Sequence, residues 1–114
     1  MKNKQKIIDL LKQTDYNGTD ILENKINNDI VYYCSLHHIR EWLVRNYKYY
    51  IEIMLFLNDG KPVYDYSIYD LTDLEFPDIQ NIPDSMIDSD ANYLTETEAL
   101  EEAIISLLNF MIDG

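Results

Sequence analysis

The stretch Tyr47–Asp70, YKYYIEIMLFLNDGKPVYDYSIYD, decides the fold. Two apolar, aromatic runs flank Asn58-Asp59-Gly60-Lys61. Asp-Gly between alternating hydrophobic residues marks a β-hairpin, because a type I′ turn needs positive φ at both central residues. With Asp59-Gly60 as a two-residue loop the register follows. Leu57 faces Pro62, Leu55 faces Tyr64, Ile53 faces Tyr66 and Ile51 faces Ile68 on one face that is nearly all apolar. The other face pairs Phe56 with Val63, Met54 with Asp65, Glu52 with Ser67 and Tyr50 with Tyr69. A slip of one residue sets Asp65 and Ser67 opposite Ile51, Ile53 and Leu55, so pattern and turn select the same register. A lone hairpin is marginal in water, so this one needs a third strand or helices on its apolar face.

The 114 residues suffice for a single domain, residues 1–114. At 46% hydrophobic, with few glycines and prolines, the chain can bury a sizeable core. There is no apolar run of about 18 residues, so neither a membrane span nor a membrane partner is expected. The basic N-terminus is interrupted by Asp9 and Lys12, and no small-residue cleavage site follows, which reads as a cytoplasmic protein. Cys34 is the single cysteine, so no internal disulfide forms.

Charge is unevenly placed. Residues 1–57 hold eight Lys/Arg against seven Asp/Glu, and residues 58–114 hold Lys61 alone against fourteen acids, within a net charge of −12. That field repels nucleic-acid backbones, so no direct nucleic-acid partner is expected. It favours a basic protein surface, and it also serves solubility. The candidate acidic surface is Asp70, Asp73, Glu75, Asp78, Asp84, Asp88 and Asp90.

Helices flank the hairpin. Ile7, Leu10 and Leu11 share one stripe and predict a helix at about 3–13. Asn17-Gly18 marks a turn, and Asp20-Ile-Leu-Glu23 resembles a capping box for a short helical turn running to about Asn27. Residues 29–34, DIVYYC, read as a brief strand or an extended lead-in. Ser35 then caps a helix over 36–46 with Leu36, Ile39, Trp42 and Leu43 on its apolar stripe. Thr95-Glu-Thr-Glu98 is a capping box, followed by a helix over 96–112. Ala99, Leu100, Ala103, Ile104, Leu107, Leu108 and Met111 form its wide apolar stripe. Ile105, Phe110 and Ile112 widen it further, which implies deep burial or a partner chain. Between hairpin and last helix, 71–93 has no clean period. A loop of that length often carries function, and Leu74, Phe76, Ile79, Ile82, Met86 and Ile87 offer points at which a short strand or helical turn can be pinned to the body.

No motif carries an obvious chemistry. His37, His38 and Glu41 put an imidazole and a carboxylate one turn apart. Adjacent histidines diverge by about 100° on a helix, and a catalytic metal site needs three protein ligands. Asp88-Ser-Asp90-Ala-Asn92 mimics the start of a calcium loop, but Tyr93 and Ala99 stand where glycine and glutamate are required. Cys34 precedes the expected helix start, where a thiol can be activated, but it reads first as a small buried residue. Phosphate-binding glycine loops, paired CxxC motifs and GxSxG elbows are absent from the sequence. The expectation is therefore no enzyme, no cofactor and no metal.

Ten tyrosines are the unusual feature. Tyrosine offers a large contact area with a polar tip, so it can line a ligand pocket or a dimer face as well as fill a sheet. For a nucleotide-like ligand the candidates are Arg40, Arg45, Tyr50 and Tyr69, with Lys48 and Lys61 as further cations.

The order LHHIREWLVRNYKYYIEI, then Tyr64, Tyr66 and Ile68 in a Y-x-Y-x-I strand, then YLTETEALEEAI from Tyr93, resembles small uncharacterised proteins of Bacteroides-type bacteria, their phages and mobile elements. The likeness spans about Leu36–Ile112, with Trp42-Leu43 and Glu98-Ala99-Leu100-Glu101 its most recognisable pieces. The chain departs from that pattern at Arg40-Glu41 and in the acidic stretch 71–93. The resemblance implies an α-β-β-α body in a phage or mobile-element setting and transfers no catalytic residue. Taken together, the sequence predicts an α+β fold: an antiparallel sheet built on the hairpin (about 48–57 and 62–70) and packed by the three helices. The first functional expectation is a non-enzymatic accessory protein that occupies a basic host-protein surface, as an anti-defence inhibitor or adaptor. The alternatives are an oligomeric nucleotide-sequestering protein and a self-associating structural module, and a homodimer is among the expected partners.

Overall fold

A computed structural model describes residues 2–24, 27–72 and 83–113. The elements are α1 (Lys2–Leu11), α2 (Thr19–Asn24), α3 (Asp29–Tyr47), β1 (Tyr49–Asn58), β2 (Lys61–Asp70), β3 (Ile87–Asp88) and α4 (Glu96–Asp113). The fold is α+β, with the hairpin at its centre and the sheet order β1-β2-β3, antiparallel throughout.

The hairpin adopts the register set by its turn. Ile51 faces Ile68, Ile53 faces Tyr66, Leu55 faces Tyr64 and Asn58 faces Lys61, with no bulge along either strand. Asp59 and Gly60 take φ of 53° and 77°, the left-handed pair a type I′ turn requires. One residue beyond the other end of β1, the Leu71 N–H donates to the Lys48 carbonyl at 2.8 Å and extends the ladder.

Residues 29–34 are not a strand. They form the first turns of α3, which begins at Asp29 rather than after Ser35. Asn28 caps it, its side-chain oxygen accepting from the Val31 N–H at 3.1 Å. Tyr32, Leu36, Ile39 and Leu43 are all buried. Their spacing is one helical stripe, so tertiary burial of Tyr32 and the Asn28 cap override the strand preference of the β-branched run. Lys48 ends the helix in the left-handed region (φ 63°), its N–H donating to the Leu43 and Val44 carbonyls.

The helices lie on one face of the sheet. α4 packs on β2 and β1, α3 on β1, and α1 against α4. Thr95 Oγ1 accepts from the Glu98 N–H at 3.1 Å and starts α4. Ile104, Ala103, Leu107 and Leu108 have no exposed surface, and Ile105 is buried as well. Met111 is only partly buried and Phe110 is exposed, so the wide arc of α4 is filled along most of its length and bare at its end. α1 contributes Ile7, Ile8 and Leu11 to this core, while Leu10, expected on the stripe, is only half-buried.

A polar cluster ties α1, α3 and α4 together. The Lys4 ammonium lies 4.7 Å from the Tyr32 ring centroid and 3.5 Å from the Asp29 carboxylate. The Tyr32 hydroxyl donates to the Glu101 carboxylate. Burial, reinforced by that carboxylate, pushes the Tyr32 hydroxyl far above the ordinary phenol range.

Beyond the hairpin, β3 supplies the third strand. Met86 N–H donates to the Ile68 carbonyl and Ser89 N–H to the Tyr66 carbonyl, and Tyr64 and Tyr93 exchange both backbone hydrogen bonds. Met86 and Ile87 pack on the core. Leu74, Phe76, Ile79 and Ile82 lie outside the described residues.

Candidate interaction surface

The ladder to β3 determines what β1 shows to its other side. Tyr64, Tyr66 and Ile68 turn their backbone groups toward the 86–93 segment. Their partners on β1 are Leu55, Ile53 and Ile51. Backbone direction alternates along an antiparallel pair, so Ile51, Ile53, Leu55 and Leu57 aim their N–H and C=O groups away from β2, at the outer edge of the sheet. α3 closes the base of this edge. The Arg40 guanidinium donates to the Ile51 carbonyl and lies 5.7 Å from the Tyr50 ring centroid. Past that point, among the described residues, no backbone group pairs with Ile53, Leu55 or Leu57.

The side chains of the same segment are bare. Ile51, Tyr66 and Ile68 are buried beneath the helices, but Leu55 is 61% exposed, Leu57 74% and Phe56 49%. The apolar face expected along the full hairpin is therefore covered at its base and uncovered toward its turn. Leu55 and Leu57 look out on the helical side of the sheet and Phe56 on the other. An unpaired strand edge next to three exposed large apolar side chains is a candidate protein-contact surface.

The predicted acidic residues separate into two kinds. Asp70 accepts from the Thr72 hydroxyl at 2.7 Å and its N–H at 3.0 Å, which holds its carboxyl below the usual range. Asp88 accepts from the Ser67 hydroxyl at 2.6 Å and the Ser85 hydroxyl at 2.8 Å, and is depressed for the same reason. Both carboxylates thus fasten the chain on which they sit. Asp84 and Asp90 are exposed along the β3 side, away from the outer edge of β1. Asp73, Glu75 and Asp78 lie outside the described residues.

The acid that organises this region was not among the candidates. Asp65 is 5% exposed and one of its oxygens accepts from Ser89 Oγ at 2.7 Å, Ala91 N–H at 3.0 Å and Asn92 N–H at 3.1 Å. In the sequence it stands out only as a charge among β2 hydrophobics; its donors lie more than twenty positions on, where no period announces them. The Asp88–Asn92 segment thus wraps a buried carboxylate. Among the described residues no group of His, Cys, Asp and Glu is arranged to hold a metal ion.

The ligand candidates are only partly brought together. Arg40 and Tyr50 share a shallow cleft of about 310 Å³ with His37, Glu41 and Val44. Tyr69 stands 6.5 Å from the Tyr50 ring but donates its hydroxyl to Glu52 and does not line the cleft. Arg45 is paired with Glu41 at 2.7 Å on the exposed side of α3. The other tyrosines are dispersed: Tyr47 packs with Trp42, Tyr49 with Phe110, and Tyr66 stacks on Tyr93. Cys34 is exposed and sits inside α3, not at its start, since the helix begins five residues earlier. His37 packs edge-on against Tyr33, while His38 is exposed beside a different cleft that includes Cys34.

No family model matches the chain, and neither the curated proteins nor the solved structures include a significant match. Among the described residues, no helix is long and apolar enough to cross a membrane.

Proposed function

We propose that this chain is a non-enzymatic interaction protein that works through protein–protein contact, with the edge of the hairpin as its apolar contact element and the acidic β3 side as the face it offers to a heterologous partner. The observation that carries this reading is the exposed, unpaired end of β1 at Leu55, Phe56 and Leu57. Burying those side chains against a partner removes apolar surface from water at roughly 25 cal/mol per Å², and an added strand satisfies the free N–H and C=O groups. The net charge of −12 selects a basic face on a heterologous partner. The phage or mobile-element setting is what the resemblance of residues 36–112 implies, and a host protein is the target proposed for that setting.

A photoreactive substitution, Leu57→p-benzoylphenylalanine, tests the reading in extract from the producing cells. A discrete protein adduct, formed by this variant and not by the same substitution at exposed Glu96, supports it. Absence of any protein adduct at position 57 refutes it. For a basic partner the affinity falls steeply as salt is raised, and a salt-independent affinity removes the electrostatic part of the reading.

The cleft at Arg40 supports a nucleotide-like ligand less well. Its guanidinium is already held by the Ile51 carbonyl and the Tyr50 ring.

A further inference from the structure

Resting on the reading of the hairpin as the contact element, we infer that the outer edge of β1 is closed by a second copy of this chain, paired antiparallel through Leu55. Natural edge strands guard themselves with lysine, proline, bulges or very short length. β1 runs for ten residues with no bulge, and between Ile51 and Asn58 its one charged residue is Glu52. The segment Ile53–Leu57 is therefore open to any matching strand, and a second β1 matches it.

The geometry fixes the register. Arg40 occupies the Ile51 carbonyl, and beyond it Ile53, Leu55 and Leu57 have outward N–H and C=O groups with no backbone partner among the described residues. A two-fold axis normal to the sheet at Leu55 pairs Leu55 with itself and Ile53 with Leu57 of the copy, so all these groups exchange hydrogen bonds. Met54 then faces Phe56 of the copy, and every cross-strand pair from Ile53 to Leu57 is apolar. The sheet becomes continuous in the order β3-β2-β1-β1-β2-β3, with both helical layers on one side.

The charges also fit, which matters for a chain this acidic. Glu52 falls opposite Asn58 of the copy, whose own neighbour on β2 is Lys61. Directly paired residues share a face, and the strands lie about 4.8 Å apart, so Lys61 reaches across Asn58 toward Glu52 of the other subunit. Lys61 is the one cation after residue 57. At the same end Asp59 of the copy comes level with Ile51, where Arg40 reaches round the edge. Each contact occurs twice by symmetry. The helix that one subunit carries at the base of its edge flanks the bare Leu57 of the other. The β3 side, with Asp84 and Asp90, stays open on both subunits, so the pair presents two acidic faces to a heterologous partner.

Sedimentation equilibrium on the full chain, from micromolar to sub-millimolar loading, tests the inference. The wild type is expected at twice 13.5 kDa. Leu55→Lys sets two like charges directly opposite each other at the axis and is expected to weaken the dimer about tenfold or more while its circular dichroism is unchanged. Lys61→Glu weakens the dimer, and Glu52→Lys combined with Lys61→Glu restores it. A wild type that is monomeric throughout overturns the inference, and so does a dimer indifferent to Leu55→Lys. A dimer whose charge-reversed pair is not restored overturns the register. The Leu57 photoadduct separates this from the broader reading. An adduct of twice the chain mass supports the second copy. An adduct with a different protein, formed by a monomer, leaves the contact element standing and overturns the copy. No adduct overturns both.

Discussion

Replacing Asp65 with alanine should detach the β3 segment before it unfolds the rest. One oxygen of this buried carboxylate accepts three hydrogen bonds, from Ser89 Oγ, Ala91 N–H and Asn92 N–H at 2.7–3.1 Å. A hydrogen bond to a charged group contributes roughly 1.5–3 kcal/mol. The three share one acceptor atom, and Ala91 and Asn92 are exposed enough for water to take over their N–H groups, so the values do not add in full. The expected cost of Asp65→Ala is therefore about 2–4 kcal/mol, a large part of the roughly 5–15 kcal/mol that holds a domain together. Asp65→Asn keeps the shape and an accepting oxygen and should cost about half as much. Urea unfolding measures the loss as a lower midpoint at unchanged slope. Amide exchange supplies the local signature: Met86 and Ser89, which donate to the Ile68 and Tyr66 carbonyls, exchange faster, while Ile104 and Leu107 in α4 are slowed or hastened only with global stability. A loss under about 0.5 kcal/mol, within the range of ordinary surface substitutions, would refute the assignment of Asp65 as the organiser of residues 85–92.

Three further outcomes follow from the fold. Ile104→Asp places a charge where no surface is exposed and should leave the chain unfolded by circular dichroism; a folded variant contradicts the packing of α4. Lys48 holds a left-handed conformation without being glycine, so Lys48→Gly should raise stability by about 0.5–1 kcal/mol in a thermal or urea melt, and a loss would contradict the cap. Stability should also fall at both ends of the pH scale. The carboxyl of Asp88 is lowered by its serine partners, so its contribution is complete above the ordinary carboxylate pKa and disappears as pH drops through the folded-state value. The hydroxyl of Tyr32 is raised by burial and Glu101, so its contribution is complete below about pH 10, the free phenol value, and erodes above it. Tyr32→Phe should flatten the alkaline limb, and an unaltered limb would dissociate it from Tyr32.

The hairpin was legible to the residue because two independent signals agree there. Asp59-Gly60 sets the turn, and the alternation of Ile51, Ile53 and Leu55 against Asp65 and Ser67 sets the register. The capping box at Thr95 and the stripe through Ile104 likewise announced α4. The start of α3 was hidden because Ile30 and Val31 carry strand preference, while Asn28 exerts its effect through a cap three residues from Val31. β3 spans only two residues and is fixed by Asp65, Ser67 and Ser89, whose contacts link positions over twenty residues apart and leave no period. The candidate contact surface was half legible. Alternation says which face of β1 is apolar, but how far along that face the helices reach depends on where α3 and α4 run. Thus Ile51 is buried and Leu57 is bare with the same pattern in the sequence.

The central claim is that the outer edge of β1 is a contact surface that a second copy fills, and amide hydrogen exchange at three positions tests it most directly. Met54 and Phe56 pair with Asp65 and Val63 on β2, so their amides should be protected at every protein concentration. Ile53, Leu55 and Leu57 point outward, so their amides should be protected at high concentration and become fast on dilution. Fast exchange of these three amides at all concentrations, beside protected Met54 and Phe56, would contradict the account.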